Sequence, residues 1–219
     1  MGSEFYPFIR CLSCRKAANG YACGGPGEPC NANNDGYFRP FASITRGQIS
    51  KIVSISAGFG EDPGAQIYTD VPPGHTFYDF INRLTRRGHM SGYPCGGPFE
   101  PCDSANRPYF RPGANATRGQ LSKIVSNAAG IVTPVPPGTQ TYTDVPPSNP
   151  FYVWIERLTA LGVMGGVPCG GPGEPCDAQN RPYFRPFALV TRAQASKIIA
   201  NTFFPGCVTP VRQPQDATR

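Results

Sequence analysis

Apolar positions along this 219-residue chain fall at helical spacing in two kinds of stretch, and the two kinds alternate. The first is aromatic-rich. In Phe77-Tyr78-Asp79-Phe80-Ile81-Asn82-Arg83-Leu84, residues Phe77, Ile81 and Leu84 share one stripe. Gly88 and Gly162 mark the ends of two copies of this helix, while Lys16 in the other copy predicts a helix that runs on toward Gly20. The second kind opens on Thr-Arg-(Gly/Ala)-Gln. Ile49, Ile52 and Val53 form its inward stripe, matched by Leu121, Ile124 and Val125 and by Ala195, Ile198 and Ile199. Thr45 with Gln48 three residues later is a capping box, repeated as Thr117/Gln120 and Thr191/Gln194. Gly58 and Gly130 end two of these helices, and Pro205 ends the third.

The loops between the helices repeat as well. Cys-Gly-Gly-Pro-x-Glu-Pro-Cys opens at Cys23, Cys95 and Cys169, and each copy leads into Tyr-Phe-Arg-Pro, read as a short extended piece. The pattern divides the chain into units at 1–60, 61–132 and 133–206, with a tail at 207–219. A unit this small cannot bury its own apolar face and must pack on its copies. The expected fold is therefore mainly α: three helix–loop–helix units clustered with pseudo-threefold symmetry around a shared core.

Composition refines this picture. The 26 Gly and 26 Pro concentrate in loops and linkers, so short helices are joined by long, stiffened connections. No apolar run approaches the ~20 residues needed to span a bilayer, so no membrane insertion is expected. Met1 is followed at once by repeat material, with no secretory signal, and the chain reads as a piece of a longer protein. Gly2-Ser3-Glu4-Phe5-Tyr6 aligns with Gly74-His75-Thr76-Phe77-Tyr78. The Tyr-Thr-Asp-Val-Pro-Pro segments at 68–73 and 142–147 have no counterpart ahead of the first unit. The tail, rich in Pro, Gln and Arg, is expected to be disordered.

Net charge is +6, yet no basic run exceeds Arg86-Arg87. Nucleic-acid binding calls for a denser patch, and an anionic polymer such as an acidic glycan suits the balance better. Nine cysteines give three internal pairs at identical spacing, Cys23/Cys30, Cys95/Cys102 and Cys169/Cys176, plus Cys11, Cys14 and Cys207. Two Cys and no His per loop fall short of a metal site, so no metal or cofactor is expected. Disulfides are, which places the protein outside a reducing cytosol. A bridge from Cys207 to Cys11 or Cys14 would tie the third unit to the first and close a ring, and the sequence does not choose between them.

Three arginines are the sharpest candidates for binding. Arg46, Arg118 and Arg192 each occupy the first position of a capped helix, where unpaired amides and the helix dipole favour an anion. A structural pairing with Asp70 or Asp144 explains them equally well. Gln48, Gln120 and Gln194 keep the cap. Lys51, Lys123 and Lys197 follow each arginine by five residues, off its stripe but able to flank a groove. Arg39, Arg111 and Arg185 sit among aromatics and can pack on them. His75 and His89 occur in the second unit alone, and no nucleophile-and-base set is present, so no enzymatic activity is expected.

The ordered set Tyr-Thr-Asp-Val-Pro-Pro, Phe-Tyr-x-x-Ile-x-x-Leu, Gly-Tyr-Pro, Phe-Arg-Pro and Thr-Arg-Gly-Gln resembles the S-layer homology module over roughly residues 2–204. The resemblance implies a pseudo-threefold spindle around a central helix bundle, with grooves between adjacent units. It also implies an extracellular, cell-surface module that anchors a protein non-covalently to an anionic cell-wall polysaccharide. The resemblance puts the groove-lining stretches at 45–48, 117–120 and 191–194, and the expected ligand-binding set is Arg46, Arg118, Arg192, Gln48, Gln120, Gln194, Lys51, Lys123 and Lys197 with Asp70 and Asp144. Gln replaces the family's Glu at the end of each Thr-Arg stretch, and a Cys-bridged loop replaces a shorter one. The alternative is a structural protein that self-associates into a layer or filament, with an unpaired Cys11 or Cys14 and an open first unit as its contacts.

Overall fold

A computed structural model describes residues 4–207; the tail expected to be disordered lies outside them. Six helices run in chain order, α1 (Tyr6–Cys14), α2 (Arg46–Ser56), α3 (Tyr78–Arg86), α4 (Arg118–Ala128), α5 (Tyr152–Ala160) and α6 (Arg192–Phe203), followed by a short 3-10 turn, Pro205–Cys207. Between them lie isolated two-residue bridges such as Tyr21 with Tyr37 and Tyr93 with Tyr109. All three capping boxes form, with each Thr side chain accepting from the Gln amide and each Gln side chain accepting from the Thr amide. The stripes fall as expected: Ile49, Val53, Leu121, Val125, Ala195 and Ile199 are fully buried.

The two helices of one unit are not the pair that packs. α3 lies on α2, α5 on α4, and α1 on α6, so the first helix of each unit covers the second helix of the unit before it. The order is cyclic because the first unit covers the third. α2, α4 and α6 meet at the centre. Just ahead of them three backbone hydrogen bonds close a circuit: Ile44 N donates to Val190 O, Val190 N to Ala116 O, and Ala116 N to Ile44 O, at 3.0–3.1 Å. All three residues are fully buried, so this ring pins the pseudo-threefold axis in a place water cannot compete for the bonds.

Disulfides link Cys23 to Cys30, Cys95 to Cys102 and Cys169 to Cys176, and Cys11 pairs with Cys207 to fasten α1 to the turn after α6. Cys14 is the exposed free thiol. Two expectations need correction. α1 ends at Cys14 instead of running toward Gly20, because Lys16 adopts φ +57° and takes the left-handed role that Gly88 (+71°) and Gly162 (+66°) play elsewhere. The Tyr-Phe-Arg-Pro pieces are not extended throughout: Arg39, Arg111 and Arg185 have φ of +54°, +58° and +60°. That twist brings each guanidinium onto the Cys loop. Arg39 meets Glu28 through Nε (2.8 Å) and Nη2 (2.6 Å), and Arg111–Glu100 and Arg185–Glu174 repeat the fork. Arg39 and Arg111 also lie over Tyr21 and Tyr93, and in each unit the glutamate of the Cys loop holds the arginine of the Tyr-Phe-Arg-Pro piece that follows.

Candidate functional site

The interlocked helices leave grooves where three units meet. The larger, a cavity of about 400 Å³, is lined by Arg46 of the first unit, by His89 to Tyr93, Gln120 and Lys123 of the second, and by Phe151 of the third. The second, about 160 Å³, has the same construction one step round: Arg192 of the third unit, Asn19 to Tyr21, Gln48 and Lys51 of the first, and Phe77 of the second. Each lysine therefore shares a groove with the arginine of the preceding unit and not with the arginine five residues before it. Phe151 forms one wall of the larger groove and Phe77 the matching wall of the second. At the third position Lys197 stands 4.0 Å from Glu4 and near the Phe5 and Phe8 rings, so that end of the cycle carries its own carboxylate.

Each arginine is held by backbone from the next unit. Arg46 donates from Nε to Phe110 O (2.9 Å) and from Nη2 to Ser91 O (2.7 Å); Arg118 does so to Phe184 O and Gly165 O, and Arg192 to Phe38 O and Asn19 O. The guanidinium groups also lie over the Phe110, Phe184 and Phe38 rings, 4.4–4.5 Å from their centroids. Burial makes the charged form of all three less favourable than in water. These residues are thus interlocks between units, and their removal cannot leave folding untouched. Their remaining nitrogen, Nη1, makes no hydrogen bond to any described residue, and Arg46 and Arg192 line the two grooves.

Asp70 and Asp144 do not pair with these arginines as a salt bridge. Asp70 accepts from Phe110 N (2.7 Å) and Arg111 N (2.6 Å), and Asp144 from Phe184 N and Arg185 N. Each carboxylate fastens its linker to the Tyr-Phe-Arg-Pro piece whose Phe carbonyl the arginine grips, so the two sit in series. Gln48 and Gln120 are spent in their caps, and Gln48 also donates to the Tyr21 hydroxyl at 2.7 Å. Lys123 lies 4.8 Å over Trp154, whose indole N–H donates to Asn127.

Most other charge among the described residues is paired off. Arg87 meets Glu61, Arg107 meets Asp103, Arg181 meets Asp177, and the three Arg–Glu forks repeat the theme. Among the described residues Arg46, Arg118, Arg192, Lys51 and Lys123 have no ion-pair partner. Neither groove has a carboxylate in its lining, so each presents positive charge beside an aromatic wall, the combination that attracts an anion carried on a partly apolar body. His89 lines the larger groove, stacked 5.6 Å from Phe59; burial first and Arg87 second push its pKa down, so it adds no charge at neutral pH.

Comparison with known proteins accords with this architecture. A relative named Cell surface glycoprotein 1, from Acetivibrio thermocellus, is 30% identical over an alignment of 148 residues that covers 62% of this chain and only 6% of that protein. Residues 67–122 match the family model described as the S-layer homology domain. That stretch, similar to the S-layer homology domain, runs from the seated linker through α3, the Cys loop and the capped start of α4.

Proposed function

We propose that the chain is a non-enzymatic, cell-surface anchoring module that holds an anionic cell-wall polysaccharide in the grooves between its units. The observation that carries this reading is the pair of equivalent grooves in which one lysine, one arginine and one phenylalanine converge with no carboxylate in the lining. A sugar ring bearing a carboxylate or phosphate presents the complement: an apolar face for Phe151 or Phe77 and a charge for Lys123 with Arg46, or Lys51 with Arg192. The similarity to the S-layer homology domain at 67–122 supports the same reading, as does the printed name of the cell-surface relative. Four disulfides suit an oxidising exterior.

The test is co-sedimentation of the chain with cell-wall preparations, before and after chemical removal of their secondary polysaccharide. Pelleting that disappears on removal supports anchoring. Pelleting that persists, or never occurs, refutes it and leaves self-association into a layer, read out by light scattering over a concentration series, as the function to examine.

A further inference from the structure

α3 and α5 occupy equivalent places, yet each meets the linker ahead of it differently. Beside α3, Arg86 lies along the linker and donates from Nε to Pro63 O (2.8 Å) and from Nη2 to Ala65 O (3.0 Å). It sits so close that a Cβ on Gly64 would stand 2.6 Å from Nη2. The next residue, Arg87, pairs with Glu61 of the same linker. Asn82, one turn earlier, is buried and donates to Ala65 O.

α5 changes every member of this set. Glu156, Ala160 and Leu161 stand 74 residues on from Asn82, Arg86 and Arg87, and Val135 stands 74 on from Glu61. Between linker and helix the third unit has a cavity of about 170 Å³, lined by Pro134, Val135 and Thr141 on one side and by Glu156, Ala160 and Leu161 on the other. Glu156 is 4% exposed. Its carboxylate accepts from Thr141 N (2.8 Å) and Thr141 Oγ1 (2.6 Å), and among the described residues no cation pairs with it. A carboxylate held out of water by two neutral donors is short of the partner that best offsets its desolvation. Arg157 also borders the cavity, but it donates to Thr133 O and Val132 O, as Arg83 donates to Glu61 O alongside Arg86. A fixed arginine at this position thus tolerates a second one. The rim is apolar, with Leu161 57% and Val132 77% exposed.

We propose that this pocket on the third unit receives the side chain of an arginine, flanked by apolar residues, from a separate polypeptide. The guanidinium would bring a planar fork of donors to Glu156, with its methylenes against Pro134, Val135 and Ala160. The flanking apolar residues would cover Leu161 and Val132. A lysine brings charge without the fork, and the second unit already seats an arginine in this place. An inorganic cation would leave the apolar lining and rim in water.

The probe is the capped tripeptide acetyl-Leu-Arg-Leu-amide, titrated into the whole chain and followed by amide resonances. Saturable one-to-one binding in the millimolar range is expected, with shifts at Thr141, Glu156 and Ala160. The same peptide with citrulline, a neutral copy of arginine, should bind about tenfold more weakly or worse, the scale of losing a charged hydrogen bond. Ala160→Arg rebuilds the arrangement of Arg86 and should abolish binding with the fold intact, while Glu156→Gln should weaken it as citrulline does. Absence of saturable binding, equal binding of the citrulline peptide, unchanged binding by Ala160→Arg, or shifts confined to the two grooves would each overturn the proposal. So would n-propylguanidinium binding as tightly as the tripeptide, which would assign the pocket to a small guanidinium ligand. None of these outcomes depends on polysaccharide binding.

Discussion

A Cβ placed on Gly47 would stand 2.4 Å from the ring of Phe77. Gly47 opens α2 and Phe77 precedes α3, so this contact sets how closely one unit seats on the previous one; Gly119 and Phe151 repeat it at 2.4 Å. Gly47→Ala should force the ring outward and cost about 1–3 kcal/mol, the usual range for overpacking. Chemical denaturation gives the number. Because Phe77 is also a groove wall, the variant should lose ligand affinity in the groove of Arg192 before that of Arg46. An unchanged midpoint would mean that α3 slides without cost.

Arginine and lysine in one groove should respond differently to truncation. Arg46→Ala strips partners from the carbonyls of Phe110 and Ser91 and should cost about 2–3 kcal/mol of stability. Lys123→Ala touches a half-exposed side chain above Trp154, so stability should move by less than about 0.5 kcal/mol while wall binding falls. Thermal melts alongside pelleting assays separate the two. If Lys123→Ala binds as before, the field in that groove is not what holds the ligand.

Lys16 should be replaceable at a profit. A side-chain-bearing residue at φ +57° pays about 1–2 kcal/mol that glycine does not, against roughly 0.5–1 kcal/mol of extra chain entropy for glycine when unfolded. Lys16→Gly should therefore raise stability by about 0.5–1 kcal/mol, visible as a higher denaturation midpoint. The reverse change, Gly88→Lys, should lower it by a similar amount.

Acid should loosen the second and third Cys loops first. Asp103 is held at about 2, below its ordinary 3.8, chiefly by the Arg107 amide and then by the Arg107 side chain; Asp177 is held at about 2 by Arg181 in the same order. A carboxylate whose folded pKa is depressed contributes stability that is complete above its unfolded value and lost as pH falls toward the folded one. Stability should thus decline between about pH 5 and pH 2, and Asp103→Asn should flatten part of that decline. The first unit, with Asn31 at this position, has no such group to titrate. Melting temperatures across that pH range decide the matter.

Much of this was legible because it is local. Thr45 and Gln48 are three residues apart, and Cys23 and Cys30 are seven, so spacing alone states their relation. Glu28 and Arg39 were within reach too: the offset of eleven recurs in Glu100/Arg111 and Glu174/Arg185, a signal that went unused. The partner of Arg46 was not. Its two carbonyls lie 64 and 45 residues away, and backbone oxygens leave no mark in composition. The repeat likewise gives a period and no phase, so it cannot tell whether α3 packs on α4 or on α2. Lys16 misled because a left-handed residue with a side chain is uncommon, although the cap it serves is local: Ala17 N and Ala18 N bond back to Leu12 O, as His89 N and Met90 N do to Leu84 O.

The bond between Cys11 and Cys207 has a mechanical meaning. Its Cα atoms are 6.0 Å apart although 196 residues separate them, so both ends of the folded body leave from one spot. Tension applied to whatever follows residue 207 enters the body through a covalent strut into α1, instead of peeling α6 away turn by turn. With the strut intact the three units must yield together. With it reduced, α6 becomes the first element to unravel under load.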